Sequence, residues 1–188
     1  MSHPQPPTSA KLIVGFVLRD KGLAQRITTT LMDAFGRVDL ISPWLPFDFT
    51  TYYQSEMGAP LFRRLLAFES MIEQTALVDI KLLTNEMEKK WSIDKKRRVN
   101  LDPGYLLAER FVLATGKNFS HRIYLGQGIY ADLTLIFQKG AFCALPWTYP
   151  GYRQPDMHLF LRRARSKYRH DLKIAADTVS HSNWSQYR

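Results

Sequence analysis

The chain has 188 residues, 45% of them hydrophobic and 13% aromatic, which suffices for one sizeable core and is too little for two comfortable domains. Its single cysteine, Cys143, excludes an intrachain disulfide framework and a multi-cysteine zinc site, and no stretch reaches the ~18 consecutive apolar residues of a membrane span. The net charge of +9 is concentrated, with residues 89–98 and 153–173 each carrying +5; such patches attract phosphates or nucleic acid, although a solvated helix face gives the same pattern.

Residues 1–10 are polar and Pro-rich, without the basic and apolar regions of a signal peptide. They are read as a flexible tail before a single domain at 11–175, with a second tail at 176–188, in a cytoplasmic protein outside the membrane. Residues 11–18 are apolar on both faces, as a central strand requires. Leu23, Ile27, Leu31, Ala34 and Phe35 then recur at helical spacing until Gly36 stops them. Residues 38–42 give a second strand and 64–69 a third, after an aromatic and polar connection at 48–60. Ala76, Ile80, Leu83, Met87 and Trp91 mark the next helix. Residues 99–101 read as a short fourth strand ended by a turn at Asp102-Pro103-Gly104, and residues 106–114 fit a short helix or a strand, the helix being preferred. The expected class is α+β: a ferredoxin-like β-α-β-β-α-β core, extended by an antiparallel hairpin and a C-terminal basic amphipathic helix. In that helix Arg162, Arg165, Arg169 and Lys173 oppose Phe160, Leu161, Ala164, Tyr168 and Leu172.

The hairpin lies in residues 121–137. Ile123, Leu125, Ile129, Ala131, Leu133, Leu135 and Phe137 alternate with Arg122, Tyr124, Tyr130, Asp132 and Thr134. A three-residue loop, Gly126-Gln127-Gly128, sets Leu125 opposite Ile129, Tyr124 opposite Tyr130 and Arg122 opposite Asp132.

Residues 97–125 are the densest in chemistry. Arg98, Asn100, Tyr105, Lys117, Arg122 and Asp132 form the expected ligand-binding set, and Asp102 with His121 the candidate acid–base pair, since a carboxylate can fix the tautomer of an imidazole that titrates near neutrality. Each has a bland reading too: Asp-Pro-Gly is turn punctuation, Arg122–Asp132 an ordinary cross-strand pair, and His121 a satisfied residue of the apolar side. Cys143, in the apolar run 141–145, reads as an inert buried thiol. Asp48, Glu56, Glu86, Asp102 and His121 offer metal-ligand types, yet no metal-binding spacing is present. No motif assigns a cofactor, a reaction or an oligomeric state.

Asp48-Phe49-Thr50, Tyr52-Tyr53, Glu56-Met57-Gly58, Lys81-Leu82 with Thr84-Asn85, Val99 to Tyr105, His121 to Leu125 and Leu145 to Pro150 occur in an order that resembles a bacterial family catalogued only as a domain of unknown function. The resemblance spans residues 11–168. Some members of that family are labelled GTP-binding, but a phosphate-binding P-loop needs Gly, four residues, then Gly-Lys-Ser/Thr. Here Gly116-Lys117 is followed by Asn118, and Phe111 stands where the first Gly belongs.

Two classes of function follow. In the first, a cleft binds a small anionic ligand, a phosphorylated metabolite or a nucleotide, with any reaction on it left open. In the second, residues 89–98 and the basic C-terminal helix track an RNA or DNA backbone. The mixture of acid, amide, phenol and imidazole with the cations favours the first.

Overall fold

The computed structural model describes residues 3–184, with side chains described through residue 177. Strand β1 (Ala10–Leu18) is followed by α1 (Ala24–Phe35), β2 (Val38–Ile41), β3 (Leu45–Pro46), α2 (Gln54–Met57), β4 (Phe62–Ile72) and α3 (Leu77–Lys90). Then come β5 (Val99–Leu106), β6 (Arg110–Thr115), β7 (Arg122–Gly126), β8 (Ile129–Gln138), β9 (Ala141–Ala144) and α4 (Pro155–Trp184). The class is α+β, with one sheet in the order β2-β4-β1-β5-β6-β8-β7, β3 beside β4 and β9 beside β8. Every pairing is antiparallel.

β1 is apolar throughout because both of its faces are covered. Leu12, Val14, Phe16 and Leu18 pack with Leu23, Ile27 and Leu31 around α1 and with Ile80 and Met87 of α3. Ile13 packs on the opposite face with Leu65, Leu106, Phe111 and Leu135 and with Met157, Phe160, Leu161 and Ala164 of α4. Lys11 is the polar exception. Fully buried, it donates to Asp39 at 2.6 Å and Asp171 at 3.5 Å, tying β1 to the segment of β2 and to α4.

Three local expectations are corrected. The chain does not turn at Asp102-Pro103-Gly104: β5 runs straight through, pairing Asp102 with Gly15, Pro103 with Val14 and Gly104 with Ile13. Pro103 is tolerated because it shares backbone orientation with Leu101, whose N–H points away from β1 to a side chain of α3, and the β6 pairing begins only at Gly104. Gly104 itself is required, since a Cβ there would lie 2.4 Å from the Val112 carbonyl oxygen. Residues 106–114 are not a helix either. A tight turn, with Leu107 N–H donating to the Arg110 carbonyl, leads into β6, where Phe111 and Val112 are both buried and so erase the period-two signal. Finally, the hairpin pairs Arg122 with Asp132 and Tyr124 with Tyr130, but Gly126, not Leu125, faces Ile129. The loop is two residues, Gln127-Gly128, both at positive φ, and Leu125 is a bulge. At the sheet edge Ile123 is 71% exposed, so the alternation of β7 reports no buried face.

The third strand is longer than residues 64–69, and the last helix continues past residue 175 to Trp184. The expected tail at 176–188 therefore coincides with helix as far as residue 184, and its remainder lies outside the described residues. Among the described residues no helix is long and apolar enough to cross a membrane.

Candidate functional site

Register alone gathers the polar residues. Arg63, Val17 and Asn100 are aligned across β4, β1 and β5, and one step along, Leu65, Gly15 and Asp102 are aligned. A further step aligns Ile13, Gly104, Leu113, Asp132 and Arg122. Residues aligned across an antiparallel sheet share a face, so Arg63, Asn100, Asp102, Asp132 and Arg122 lie on the α4 side. Tyr105 has the opposite parity and is buried among Leu77, Val78 and Val112, apart from this row.

Two closed networks occupy much of the row. In the first, Arg97 makes a bidentate pair with Glu56, Nε to Oε1 and Nη2 to Oε2 both at 2.8 Å, while Nη1 reaches Glu88 at 3.2 Å and Asn100 Oδ1 at 3.0 Å. Asn100 then donates to Asp102 at 2.9 Å. Glu88, 6% exposed, also accepts the Leu101 N–H at 2.6 Å, and Lys81 donates to the Leu101 carbonyl at 2.8 Å, so α3 satisfies the half of β5 that lacks a strand neighbour. The hydrogen bonds from Arg97 hold the Glu56 carboxyl below its ordinary range, whereas burial pushes Glu88 up against the pull of its cations.

In the second network Asp132 Oδ2 accepts from Arg122 Nε at 2.9 Å and lies 3.4 Å from His121 Nε2. Arg122 also donates to the Lys117 carbonyl at 2.8 Å. The His121 ring stacks on Trp147, centroids 5.1 Å apart and planes 12° apart, and Trp147 donates to the Leu133 carbonyl. His121 therefore has Asp132 as its carboxylate partner, and Asp102 has Asn100. An aromatic ladder joins the networks: Lys117 Nζ lies over Tyr52, Tyr52 packs edge-on to Tyr53, and Arg97 lies over Tyr53. Arg98 stands apart in an exposed 3.4 Å contact with Asp20. Its sequence neighbour Arg97 holds the place in the network.

The side chain that the sequence did not single out is Arg63. It is 4% exposed and, among the described residues, has neither a hydrogen bond nor an ion pair; its Nε is buried with no acceptor. Phe47, Tyr152 and Tyr149 surround the guanidinium, with centroids at 4.5, 4.6 and 5.8 Å. The Tyr149 and Tyr152 hydroxyls are also buried without partners, and burial raises both phenols, opposed by Arg63. Arg63 lines a cavity of about 210 Å³ with Leu45, Pro46, Phe49, Gly151, Gln154, Pro155 and Asp156.

Two connections build that cavity. Phe47 stacks on Tyr149 and Phe49 meets it edge-on, so the 47–58 segment closes over β3 and β4. The 145–153 segment is pinned by Thr148, which donates to the Thr134 carbonyl at 2.6 Å and accepts from the Leu145 N–H, and by Arg153, which donates to three carbonyls of the same segment. Gly151 permits the close approach, since a Cβ there would lie 2.9 Å from Arg63 Nη1. Beyond it starts α4, whose first helical hydrogen bond runs from His158 N–H to the Gln154 carbonyl, leaving the N–H groups of Asp156 and Met157 without helical acceptors.

The magnitudes separate Arg63 from the other cations. Burying an ion costs several kcal/mol even after relaxation, and an unsatisfied buried donor a further ~1–3 kcal/mol. Cation–π contacts give back about 0.5–1 kcal/mol each, rising to about 2 when desolvated. The aromatic cage offsets only part of this. Among the described residues no group of three or more His, Cys, Asp or Glu is placed to hold a metal ion.

These features define an α+β protein with a polar sheet face roofed by two loops and a buried, unpaired cation beside a small cavity. The chain belongs to the family described as Domain of unknown function (DUF4416), whose model matches residues 8–168 and so includes both networks and the cavity. No curated protein and no solved structure matches the chain.

Proposed function

We propose that this protein binds a small organic anion in the cavity beneath Gly151, with Arg63 as its charge partner. The observation that carries the reading is Arg63, a 4%-exposed cation lining this cavity, with no hydrogen-bond acceptor among the described residues and its Nε buried. An anionic head group there completes the pairing that the ring faces do not supply, and the first turn of α4 adds free N–H groups on the same side. The volume, about 210 Å³, lies below the ~300 Å³ at which pockets for drug-sized ligands begin, which favours a metabolite of modest size over a nucleotide. The ligand-binding set read from the sequence does not line this cavity: Arg122 is engaged by Asp132, and Asn100 by Arg97 and Asp102. Nucleic-acid binding ranks second because the basic helix spends cations on its own fold, Arg165 on the Ala108 carbonyl and the Phe137 ring and Lys167 on Asp171.

The fold proposal is a ferredoxin-like split unit made of β1, α1, β2, β4, α3 and β5, supported by the local order β2-β4-β1-β5 with a helix in each crossover. The ligand proposal is tested by calorimetric titration of isocaproate, hydrocinnamate and inorganic phosphate into the wild type and Arg63→Met, in a buffer free of carboxylates and phosphate. Saturable binding of at least one anion to the wild type and its loss in Arg63→Met is the expected result. Equal binding by both proteins, or none by the wild type, contradicts it.

A further inference from the structure

The two charges that line the cavity narrow the ligand class. Arg63 and Asp156 both border it, yet no ion pair joins them, and the walls between are Leu45, Pro46, Phe49 and Pro155. A small cavity with a guanidinium, a separate carboxylate and apolar sides is complementary to a molecule carrying both signs of charge on an apolar body. Resting on the anion-binding reading above, we infer that the preferred ligand is a small apolar zwitterion of the α-amino-acid kind, its carboxylate on Arg63 and its ammonium on Asp156. A dianionic phosphate would set its second charge against Asp156, and a simple carboxylate would leave Asp156 unused. The volume agrees: about 210 Å³ exceeds the ~150 Å³ cavity that accepts benzene, which suits a side chain the size of Leu or Phe.

Two further details fit. Gln154 holds its side-chain Nε2 3.4 Å from the Pro150 carbonyl, which leaves the amide oxygen as an acceptor near the rim. Asp156 is exposed and sits in the first turn of α4, where a carboxylate also complements the helix dipole. That second role predicts that Asp156→Asn lowers stability slightly for every ligand state alike, whereas the ammonium contact predicts a loss confined to zwitterions.

The experiment is a set of calorimetric titrations of leucine, isocaproate and isoamylamine, and of phenylalanine, hydrocinnamate and phenethylamine, into wild type, Asp156→Asn and Arg63→Met, with folding of each variant checked by circular dichroism. The inference expects at least one amino acid to bind the wild type about fivefold more tightly than its deaminated acid, an advantage of the size an exposed charge pair supplies. The amines should not bind, Asp156→Asn should erase the advantage while the acid binds at least as tightly as to the wild type, and Arg63→Met should abolish both. If the deaminated acids bind as tightly as the amino acids, or an acid binds while neither amino acid does, the zwitterion inference falls and anion binding stands. If no anion binds the wild type, both fall.

Discussion

The Arg97 network and the Arg63 cage each hold a cation beside the sheet, and they differ in how its charge is met. Arg97 reaches Glu56 in a bidentate pair, Glu88 and Asn100, and its charge is absorbed by two carboxylates. Arg63, more deeply buried, has only ring faces among the described residues. A saturated cation fastens α2 and α3 to β5, whereas an unsaturated one stores a cost that a ligand can relieve.

The largest effect should come from Arg97→Ala. It leaves the buried Glu88 without its guanidinium and takes the side-chain donors from Glu56 and from Asn100 Oδ1, and breaking a fully buried pair costs about 3–5 kcal/mol, discounted here to about 3 because Arg97 is partly exposed. Urea unfolding measures it, and a loss below about 1 kcal/mol would mean that the network is decorative. Arg63→Met should act in the opposite direction without ligand, raising stability by about 1–3 kcal/mol by removing a buried unpaired charge. The hydroxyls make a smaller version of the same contrast. Tyr152→Phe deletes an unpartnered oxygen and should be neutral or mildly stabilising, while Thr148→Val breaks two hydrogen bonds of the roof and should cost about 1–2 kcal/mol. Melting temperatures of the two variants decide, and a Tyr152→Phe loss as large as that of Thr148→Val would show that the hydroxyl has a partner.

Smaller still is the pH dependence of the Arg97 network. The folded-state pKa of Glu56 is lowered, chiefly by hydrogen bonding to Arg97, so its contribution is fully present above the unfolded value and is lost as pH falls through the folded one. Glu88 is raised by burial, and its share runs the other way, diminishing as pH rises through its folded value. Below about pH 4, Glu56→Gln should therefore lose less stability on further acidification than the wild type, measured by urea midpoints across pH. The smallest effect is expected for Arg98→Ala, within about 0.5 kcal/mol and with ligand affinity unchanged, since its contact with Asp20 is exposed.

What the sequence revealed divides along the same line. Periodicity located β1, α1, α3 and the basic terminal helix, and alternation gave the Arg122–Asp132 and Tyr124–Tyr130 pairs. It misread 102–114 because Pro103 points to an unpaired side of β5, and because β6 is buried on both faces. The polar row is half legible: Asn100, Asp102, Asp132 and Arg122 stand out in the sequence, but nothing local distinguishes Arg97, which enters the network, from Arg98, which points to Asp20. Arg63 gave no local signal beyond adjacency to a strand. Its burial depends on Phe47, Tyr149 and Tyr152, distant in sequence, and only the assembled sheet and the two loops create it.

The central claim is that Arg63 is a ligand's partner and not a plug held by aromatic rings. Urea unfolding of wild type and Arg63→Met, each with and without saturating leucine and isocaproate, tests it most directly. A crossover is expected: the variant is the more stable protein without ligand, and only the wild type gains stability when an anion is added, by about 2.7 kcal/mol at one hundred times the Kd. An Arg63→Met protein less stable than the wild type, together with a wild type that neither compound stabilises, would contradict it and make the cage a structural cation–π cluster.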